Sequence, residues 1–289
     1  MILVTGASGQ IGGVIIGRLR AQGYDIVGLT TSKVTSRSKA FGFQEVGRGY
    51  VTLDSLTLES VCCVVHCAAS IPFDSVSVEQ AASINREIDD NILAFASRVG
   101  ASCVYISSSS VYGFVNELTS EASLTAPTNS YSQQKLISER AFLKSNVPTT
   151  VMRISSPYDM KMKYKNVLWH FISNAANNRD ICCFGTGSRS QDFTHVRDIA
   201  EFVLLAVDQR HNDIFNVMSG RETSMLELAK LVVKELNSKS RVNINAGVDP
   251  DEEYRAKFLV SKAKTELGWS PRIDLPEGLR LIHSELGKV

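Results

Sequence analysis

A tyrosine and a lysine stand four positions apart at Tyr131 and Lys135, the spacing that places two side chains on one face of a helix. An ammonium group beside a phenol disfavours its protonation, so the pair predicts that the pKa of Tyr131 falls from about 10 toward the working range of an acid/base group. Among the eight tyrosines, only Tyr131 has a lysine at this spacing. The chemistry indicated is proton exchange with a substrate oxygen.

Four consecutive serines at 107–110 follow the apolar run 104–106. In a doubly wound sheet, ligands gather at the carboxyl ends of the strands, which is where these hydroxyls would lie. A serine there is suited to hydrogen-bonding a substrate carbonyl that Tyr131 protonates. The alternative is a turn of small polar residues beside an exposed helical pair.

A glycine-rich turn lies between the apolar run 2–5 and the amphipathic segment 11–21. Its glycines permit positive φ and close approach of a pyrophosphate, while free N–H groups and the helix dipole attract its charge. The turn therefore predicts a dinucleotide site, with a purely structural tight turn as the alternative. The predicted ligands in this turn are Gly6, Gly9, Gln10, Ile11 and Gly12, spaced Gly-x-x-Gly-x-x-Gly.

The loop after the second apolar run bears on the choice between NAD and NADP. An NAD-preferring site usually offers Asp or Glu to the adenosine ribose, and this loop has no carboxylate. Hydroxyl and cationic side chains are suited instead to a 2′-phosphate, so NADP(H) is favoured while NAD(H) stays open. The residues concerned are Thr30, Thr31, Ser32, Lys33 and Arg37; a solvated basic loop is the alternative.

The elements that would carry these residues alternate along the first half of the chain. Short apolar runs predict strands at 2–5, 26–29, 61–66, 104–106 and 150–154, and helical periodicity appears at 11–21 and 79–98. This alternation predicts an α/β fold, a doubly wound parallel sheet of the Rossmann type.

After Ser155 the alternation of apolar runs and helical segments becomes less regular, which predicts that the chain has two structural units. Residues 1–155 are expected to form the NAD(P)-binding Rossmann domain, and residues 156–289 a smaller, substrate-binding subdomain. Segments within 192–220 are expected to return to the first sheet. A short hairpin is expected over 181–193, and the capping signal Ser224-x-x-Glu227 predicts a helix.

Composition excludes several classes of protein. The 289 residues are 44% hydrophobic and 21% charged, with a net charge of +1, which gives no global field for nucleic acid or an anionic membrane. No apolar run approaches the roughly 18 residues of a membrane span, so a cytoplasmic protein is expected. The six cysteines include no Cys-x-x-Cys, which argues against a metal site and predicts free, buried thiols.

Several motifs together resemble the extended short-chain dehydrogenase/reductase superfamily, in its nucleotide-sugar-modifying branch of NAD-dependent epimerase/dehydratase-like enzymes. They are Gly6-x-x-Gly9-x-x-Gly12, Ser-Ser-Ser-Ser-Val-Tyr-Gly at 107–113, Tyr131-x-x-x-Lys135, Gln-Asp-Phe-x-x-Val-x-Asp at 191–198, and Lys-Ala-Lys-x-Glu-Leu-Gly-Trp-x-Pro at 262–271. The resemblance covers nearly the whole chain. It implies a bound nicotinamide cofactor, a C-terminal lobe for a nucleoside-diphosphate sugar, and a homodimer built from paired helices.

The resemblance also assigns individual residues. It places the catalytic hydroxyl at Ser108 and the acid/base pair at Tyr131 and Lys135. It adds to the cofactor site an acidic residue beside adenine, small residues that let the cofactor pass, and a nearby asparagine. These are Asp54, Ala68, Ala69 and Asn85. Ser155 is also a predicted cofactor ligand.

Three departures from the family pattern concern the substrate. Sugar-nucleotide 4,6-dehydratases carry an Asp-Glu pair where this chain has Ser109 and Ser110, which disfavours dehydration. Gln191 stands in place of the Arg that contacts the sugar diphosphate, which leaves Arg189 and Arg255 as the candidate diphosphate ligands. The loop after the sixth strand has Ser156 for Asn and Asp159 for Gly, so it is expected to close on the substrate differently. The predicted substrate ligands are Ser109, Ser156, Arg189, Gln191 and Arg255.

These observations favour a reductase that passes hydride from NADPH to a 4-keto group of a nucleotide-activated sugar, with Tyr131 as the general acid. A nucleotide-sugar 4-epimerase with tightly bound NAD is the alternative, since it uses the same residues. A non-catalytic, cofactor-sensing protein is a third interpretation, because the fold alone does not establish a function.

Overall fold

The computed structural model of the chain describes residues 1–40, 42–50, 53, 60–73, 75–162 and 164–286, leaving aside the side chains of Arg37 and Arg48. A seven-stranded sheet forms its centre, and every neighbouring pair of strands in it is parallel. Its members are β1 (Ile2–Thr5), β2 (Ile26–Thr30), β3 (Phe43–Glu45), β4 (Cys63–His66), β5 (Ser102–Ser108), β6 (Thr149–Ile154) and β11 (Asp213–Asn216). Their order is β11-β6-β5-β4-β1-β2-β3, so the predicted doubly wound sheet is confirmed.

Helices cover both faces of this sheet. On one face, Ile15 and Leu19 of α1 pack in one apolar cluster with Phe202 of α6. On the other face, Ile92 of α3 packs with Phe142 of α4. The helices are α1 (Gln10–Ala21), α2 (Ser36–Ala40), α3 (Val78–Val99), α4 (Ser130–Lys144), α5 (Val167–Ala176), α6 (Val196–Gln209), α7 (Met225–Glu235), α8 (Ser261–Leu267) and α9 (Leu275–Leu286).

The smaller sheets lie mostly in the second half of the chain. They pair β10 (Thr194–His195) with β7 (Pro157–Tyr158), β12 (Glu222–Ser224) with β9 (Ser190–Asp192), and β13 (Val242–Asn243) with β8 (Ile181–Cys182). The hairpin expected over 181–193 is therefore wrong, because β8 and β9 pair with different partners. Local apolar runs cannot reveal which distant strand supplies the hydrogen bonds.

Two other expectations for the second half agree with the structure. Strand β11 extends the large sheet beyond β6, and α6 packs against α1 on its face, so residues after 192 do return to the first sheet. Helix α7 begins where the capping signal predicted it, with the Ser224 hydroxyl accepting the Glu227 N–H at 3.2 Å. The division at 155/156 stays a prediction.

The cysteines differ in part from the expectation of buried thiols. All six are free, but Cys62 and Cys182 are exposed while their neighbours Cys63 and Cys183 are buried. Successive side chains of an extended segment point to opposite faces, so an adjacent pair cannot be buried on one face together. In the part of the chain that the structure describes, no helix is long and apolar enough to cross a membrane.

Candidate active site

One large cleft, of about 1120 Å³, opens where the strands of the main sheet end. Its walls include Gly6 after β1, Thr31 after β2, Cys67 after β4, Ser109 after β5 and Ser155 after β6. Most of the predicted site residues line it: Gly6, Gly9, Gln10, Ile11, Gly12, Thr30, Thr31, Ser32, Ala68, Ala69, Ser108, Ser109, Tyr131, Lys135, Ser155, Ser156, Arg189 and Gln191. Residues from both halves of the chain thus share one cavity.

The glycine turn leaves no room for side chains. Gly6 has a φ of +62°, and a Cβ on it would lie 2.9 Å from the backbone nitrogen of Ala68. A Cβ on Gly12 would lie 2.4 Å from the carbonyl oxygen of Gly6. No side chain caps α1 at Gly9, so the first-turn N–H groups are free for an anion at the cleft. These features fit the pyrophosphate of a dinucleotide.

Tyr131 and Lys135 lie on the first turns of α4, which Asn129 starts by accepting the Ser132 N–H at 3.0 Å. Lys135 is only 3% exposed, and Tyr131 is half-buried in the cleft wall. The Lys135 ammonium donates to the Ile106 carbonyl at 3.0 Å and to the Tyr105 hydroxyl at 3.3 Å. The helix therefore holds the amine firmly beneath the cleft.

The expected lowering of the Tyr131 pKa by Lys135 is wrong for this arrangement. Burial raises the pKa of Tyr131 well above its usual value, and the negative charge of Asp89 adds to the rise. Burial also lowers the pKa of Lys135, while the charges of Asp89 and Glu139 oppose that change. Sequence spacing identified the pair but not the desolvation and the buried acids around it.

Ser108 ends β5 and caps the 3-10 turn Ser109–Tyr112. Its hydroxyl oxygen accepts the Ser110 N–H at 3.1 Å and the Ser110 hydroxyl at 2.9 Å. The hydrogen of the Ser108 hydroxyl remains available for an acceptor in the cleft. The serine run therefore does place hydroxyls at the carboxyl end of a strand, beside the Tyr131 helix.

Hydroxyl groups of the loop after β2 and of the glycine turn hydrogen-bond to one another. The Thr30 hydroxyl lies 2.7 Å from the Ser8 hydroxyl, and it accepts the Ser32 N–H at 3.0 Å. Thr30, Thr31 and Ser32 line the cleft, whereas Lys33 does not. The side chain of Arg37 lies outside the described structure.

The end of the cleft formed by the second half of the chain contains Arg189 and Gln191. The Arg189 Nε lies 2.9 Å from a carboxylate oxygen of Asp249, so this guanidinium already has an anionic partner. The Ser156 hydroxyl donates to the Gln191 side-chain oxygen at 3.2 Å. Arg189 is thus placed for a phosphate, in competition with Asp249.

Two further predicted ligands are not part of the cleft wall, and a third, Asp54, lies outside the described residues. Asn85 is buried, and its side chain accepts the Ser70 N–H at 2.6 Å and donates to the Ser70 carbonyl at 2.9 Å, so it holds a wall residue. Arg255 donates to the carbonyls of Glu252 and Tyr254 instead of reaching the cleft.

Other contacts at the cleft were not predicted from the sequence. The Tyr50 hydroxyl accepts the Gly6 N–H at 2.9 Å, and no local pattern signals this contact across 44 positions. The rings of Phe73 and Tyr164 meet edge to face across the cleft, with centroids 5.6 Å apart. The Gln10 side chain donates to Asp159 at 2.8 Å. For this contact the sequence offers one signal, which is that Asp159 replaces the Gly of the family pattern.

Comparison with protein families and relatives agrees with this geometry. The model described as the NAD dependent epimerase/dehydratase family matches residues 2–217. A putative UDP-glucose 4-epimerase of Methanocaldococcus jannaschii is 29% identical, over 98% of this chain and 97% of the relative. The family match covers most of the motifs that carried the predicted resemblance, which is thereby confirmed.

Solved structures share the fold at lower sequence identity. The UDP-glucose 4-epimerase of Thermotoga maritima, solved with UDP-glucose, has a TM-score of 0.87 at 23% identity and covers 99% of this chain and 98% of its own. The UDP-glucose 4-epimerase of Thermus thermophilus, solved in complex with NAD, has a TM-score of 0.86 at 22% identity, again covering 99% of this chain and 98% of its own.

Proposed function

The chain belongs to the NAD dependent epimerase/dehydratase family, and we propose that it is a nucleotide-sugar 4-epimerase that retains its nicotinamide dinucleotide. One observation carries this proposal. A single cleft joins the glycine turn to Ser108, Tyr131 and Lys135, and it continues to Arg189 in the second half of the chain. The relatives named as UDP-glucose 4-epimerases support the same substrate class.

The residues of the chain have distinct roles in this reaction. The glycine turn and the first turn of α1 would hold the pyrophosphate, and the wall at Ala68 and Ala69 would border the rest of the dinucleotide. When bound, the nicotinamide supplies reversible hydride transfer. Ser108 would hydrogen-bond the oxygen on the sugar carbon that reacts, and Tyr131 would take its proton and later return it. The Lys135 ammonium would stabilise the phenolate.

Two contacts across the cleft favour an epimerase over a reductase. The hydrogen bond from Gln10 to Asp159 and the ring contact of Phe73 with Tyr164 each join residues from the two halves of the chain. Such contacts over a bound dinucleotide would slow its release. An epimerase keeps its cofactor through the cycle, whereas a reductase must exchange it.

The test is to incubate the purified protein with UDP-glucose or UDP-galactose, with no added nicotinamide nucleotide, and to follow both sugars by chromatography. Interconversion of the two supports the proposal. The same preparation is denatured and the released cofactor identified by mass spectrometry. Absence of interconversion for these and for the N-acetylated and 6-deoxy nucleotide sugars, with cofactor present in the protein, would contradict an epimerase.

A 4-keto-sugar reductase is the second candidate, and one observation favours it. The loop after β2 presents Thr30, Thr31 and Ser32 to the cleft and no carboxylate, which suits the 2′-phosphate of NADP(H). A reductase drawing on NADPH would consume one cofactor for each product. The assay for it is oxidation of NADPH in the presence of a nucleotide-linked 4-keto sugar.

A further inference from the structure

Asp89 is a buried acid that lies behind the cleft wall on helix α3 and is 2% exposed. Three side chains surround its carboxylate: His66 Nε2 at 2.9 Å, the Tyr105 hydroxyl at 2.9 Å and the Ser138 hydroxyl at 2.6 Å. An ionised carboxylate only accepts hydrogen bonds, and all three neighbours can donate. The arrangement is satisfied when Asp89 carries its negative charge.

This carboxylate connects to Lys135 through one hydroxyl group. The Tyr105 oxygen accepts a hydrogen bond from the Lys135 ammonium at 3.3 Å and donates its own hydrogen to Asp89. The ammonium also lies 4.8 Å from the centroid of the Tyr105 ring. A buried cation and a buried anion therefore share a bridging phenol.

The same network reaches the glycine turn. The Thr5 hydroxyl oxygen accepts the Ala68 N–H at 3.0 Å and lies 2.8 Å from His66 Nδ1. When the Thr5 hydroxyl donates its hydrogen to His66 Nδ1, the imidazole carries its own hydrogen on Nε2, which faces Asp89. Thr5 directly precedes Gly6, so the network joins the amine of Lys135 to the cofactor end of the cleft.

Asp89 is the acid best placed to balance the Lys135 charge. A buried ammonium without a counter-charge is costly, and the second acid nearby, Glu139, is engaged by Arg153 through a short bond of 2.7 Å. Burial opposes ionisation of Asp89, yet the hydrogen bond from His66 and the charge of Lys135 hold its pKa below the usual value. The other titratable groups around this pair are His66, Cys67, Cys103, Tyr105, Tyr131, Glu139 and Arg153.

We propose that Asp89 is the counter-ion of Lys135 and a positioning residue for the reaction at Tyr131, acting through the Tyr105 hydroxyl. The role of Asp89 in the reaction rests on the proposed function, whereas its charge pairing with Lys135 does not. The anion keeps the amine protonated where burial disfavours the charge. It also opposes ionisation of Tyr131, so it sets the pH at which the Tyr131 and Lys135 pair loses its first proton.

The experiment follows Lys135 directly by NMR of protein labelled with ¹³C at the lysine side chains, with the Lys135 signal identified from its absence in Lys135→Met. Asp89→Asn keeps the shape of the side chain and removes its charge. Asp90→Asn is the matched control, because it removes the same charge from the next, exposed position of α3. We expect the Lys135 titration midpoint to fall by about one pH unit or more in Asp89→Asn and to stay unchanged in the control.

A Lys135 midpoint in folded Asp89→Asn that equals the control would overturn the proposal. If Asp89→Asn does not fold, Tyr105→Phe replaces it, since this change removes the bridging hydroxyl and keeps the ring. The Lys135 midpoint should then fall as well, because the amine loses an acceptor. An unchanged midpoint in folded Tyr105→Phe overturns the inference.

Turnover gives the second measurement. We expect Asp89→Asn to lower kcat by about tenfold or more, the worth of one pKa unit, and to move its pH profile to lower pH with little change in KM. A purely structural role would lower thermal stability and leave the profile in place. If the wild-type protein turns over no nucleotide sugar, the proposed function fails, while the Lys135 titration still decides the charge pairing.

Discussion

The side-chain amide of Gln10 donates a hydrogen bond of 2.8 Å to the carboxylate of Asp159, across 149 positions of the chain. Gln10 is the first residue of α1 in the phosphate-binding turn, and Asp159 follows β7 in the second half of the chain. The same carboxylate accepts the Lys161 N–H at 2.9 Å. One acid thus ties the predicted cofactor end of the cleft to the loop that departs from the family pattern.

Asp159→Asn should stabilise the protein at neutral pH. Burial raises the pKa of Asp159 above its usual value, although Gln10 and the Lys161 N–H oppose the rise. When the pKa of a carboxyl is higher in the folded state, the protein loses stability as pH rises through that pKa. This loss is absent below the pKa of the carboxyl in the unfolded chain. Asparagine keeps an acceptor oxygen and carries no charge. We expect a higher Tm at pH 7 and no difference at about pH 3, below the unfolded pKa.

Calorimetry at the two pH values measures this effect. Asp159→Ala is the companion variant, because it removes both the charge and the acceptor and should lower Tm. If Asp159→Asn is less stable than the wild type at pH 7, the carboxylate is favourable in place and the argument from burial is wrong.

Gly12→Ala and Gly17→Ala test the glycine turn within one helix. A Cβ on Gly12 would meet the Gly6 carbonyl oxygen at 2.4 Å, whereas a Cβ on Gly17 has no neighbour within 4 Å. Gly12→Ala should displace α1 from β1 and weaken NAD(H) and NADP(H) binding by at least about tenfold, or 1.4 kcal/mol. Gly17→Ala should stabilise the protein by about 0.5–1 kcal/mol and leave binding unchanged.

Titration calorimetry with each dinucleotide, together with thermal unfolding, separates the two variants. Normal dinucleotide affinity in a folded Gly12→Ala protein would show that the turn has a structural purpose alone.

Tyr131→Phe should abolish most turnover while the fold and cofactor binding persist. The ring keeps its packing in the cleft wall and loses only the proton that the reaction exchanges. A positioned acid/base group contributes about 10²-fold or more, so kcat should fall by at least that factor. Tyr164→Phe is the control, since it removes a second tyrosine hydroxyl from the wall of the same cleft. Near-normal kcat in Tyr131→Phe would remove this residue from the mechanism.

The two arginines predicted for the diphosphate should now behave differently. Arg189 lines the cleft and pairs with Asp249 at 2.9 Å, whereas Arg255 does not line it and donates to the backbone carbonyls of Glu252 and Tyr254. Arg189→Ala should weaken binding of a nucleotide sugar by roughly 1.5–3 kcal/mol, and Arg255→Ala should change it little. Asp249→Asn should tighten binding, because it releases the guanidinium for phosphate.

Titration with UDP-glucose and with the dinucleotide separately checks the assignment. Dinucleotide affinity should stay constant in all three variants. If Arg189→Ala and Asp249→Asn both reduce stability and neither alters UDP-glucose affinity, the ion pair serves the fold.

The sequence reveals the parts of the site that local spacing encodes. Three features of the site depend on neighbours along the chain: the glycines of the turn, the four-residue spacing of Tyr131 and Lys135, and the serines after β5. The residues of all three line one cleft. The positions of β1, β2, β4, β5 and β6 followed in the same way from apolar runs, to within a few residues, whereas β3 was not predicted. These features depend on backbone conformation within one turn or one strand.

Long-range contacts could not be predicted in this way. Three interactions of the site join segments that are distant in the sequence. They are those of Tyr50 with the Gly6 N–H, Asp89 with Lys135, and Asp249 with Arg189. The predicted direction for the pKa of Tyr131 is wrong because burial and the charge of Asp89 raise it. The predicted hairpin over 181–193 is wrong for a related reason, because the pairing of a strand is decided by the whole sheet.

The last prediction concerns the loop after β2, whose wall residues Thr30, Thr31 and Ser32 offer hydroxyls. With no carboxylate to repel a 2′-phosphate, the reductase, our second candidate, predicts that NADPH binds more tightly than NADH, by roughly five- to thirty-fold if the net gain is about 1–2 kcal/mol. Because these hydroxyls are uncharged, the preference should change little with added salt. Lys33 does not line the cleft, so Lys33→Ala should change the ratio little.

Thr30→Asp should reverse this preference. The new carboxylate keeps an acceptor for the Ser32 N–H, which Thr30 now provides at 3.0 Å, and it offers a partner to a ribose diol while repelling a phosphate. The ratio of dissociation constants for NADH and NADPH, measured by calorimetry at two salt concentrations, gives the result. Denatured wild-type protein that releases NAD alone would contradict the 2′-phosphate site, and would at the same time favour the epimerase over the reductase, because a retained NAD serves only the former.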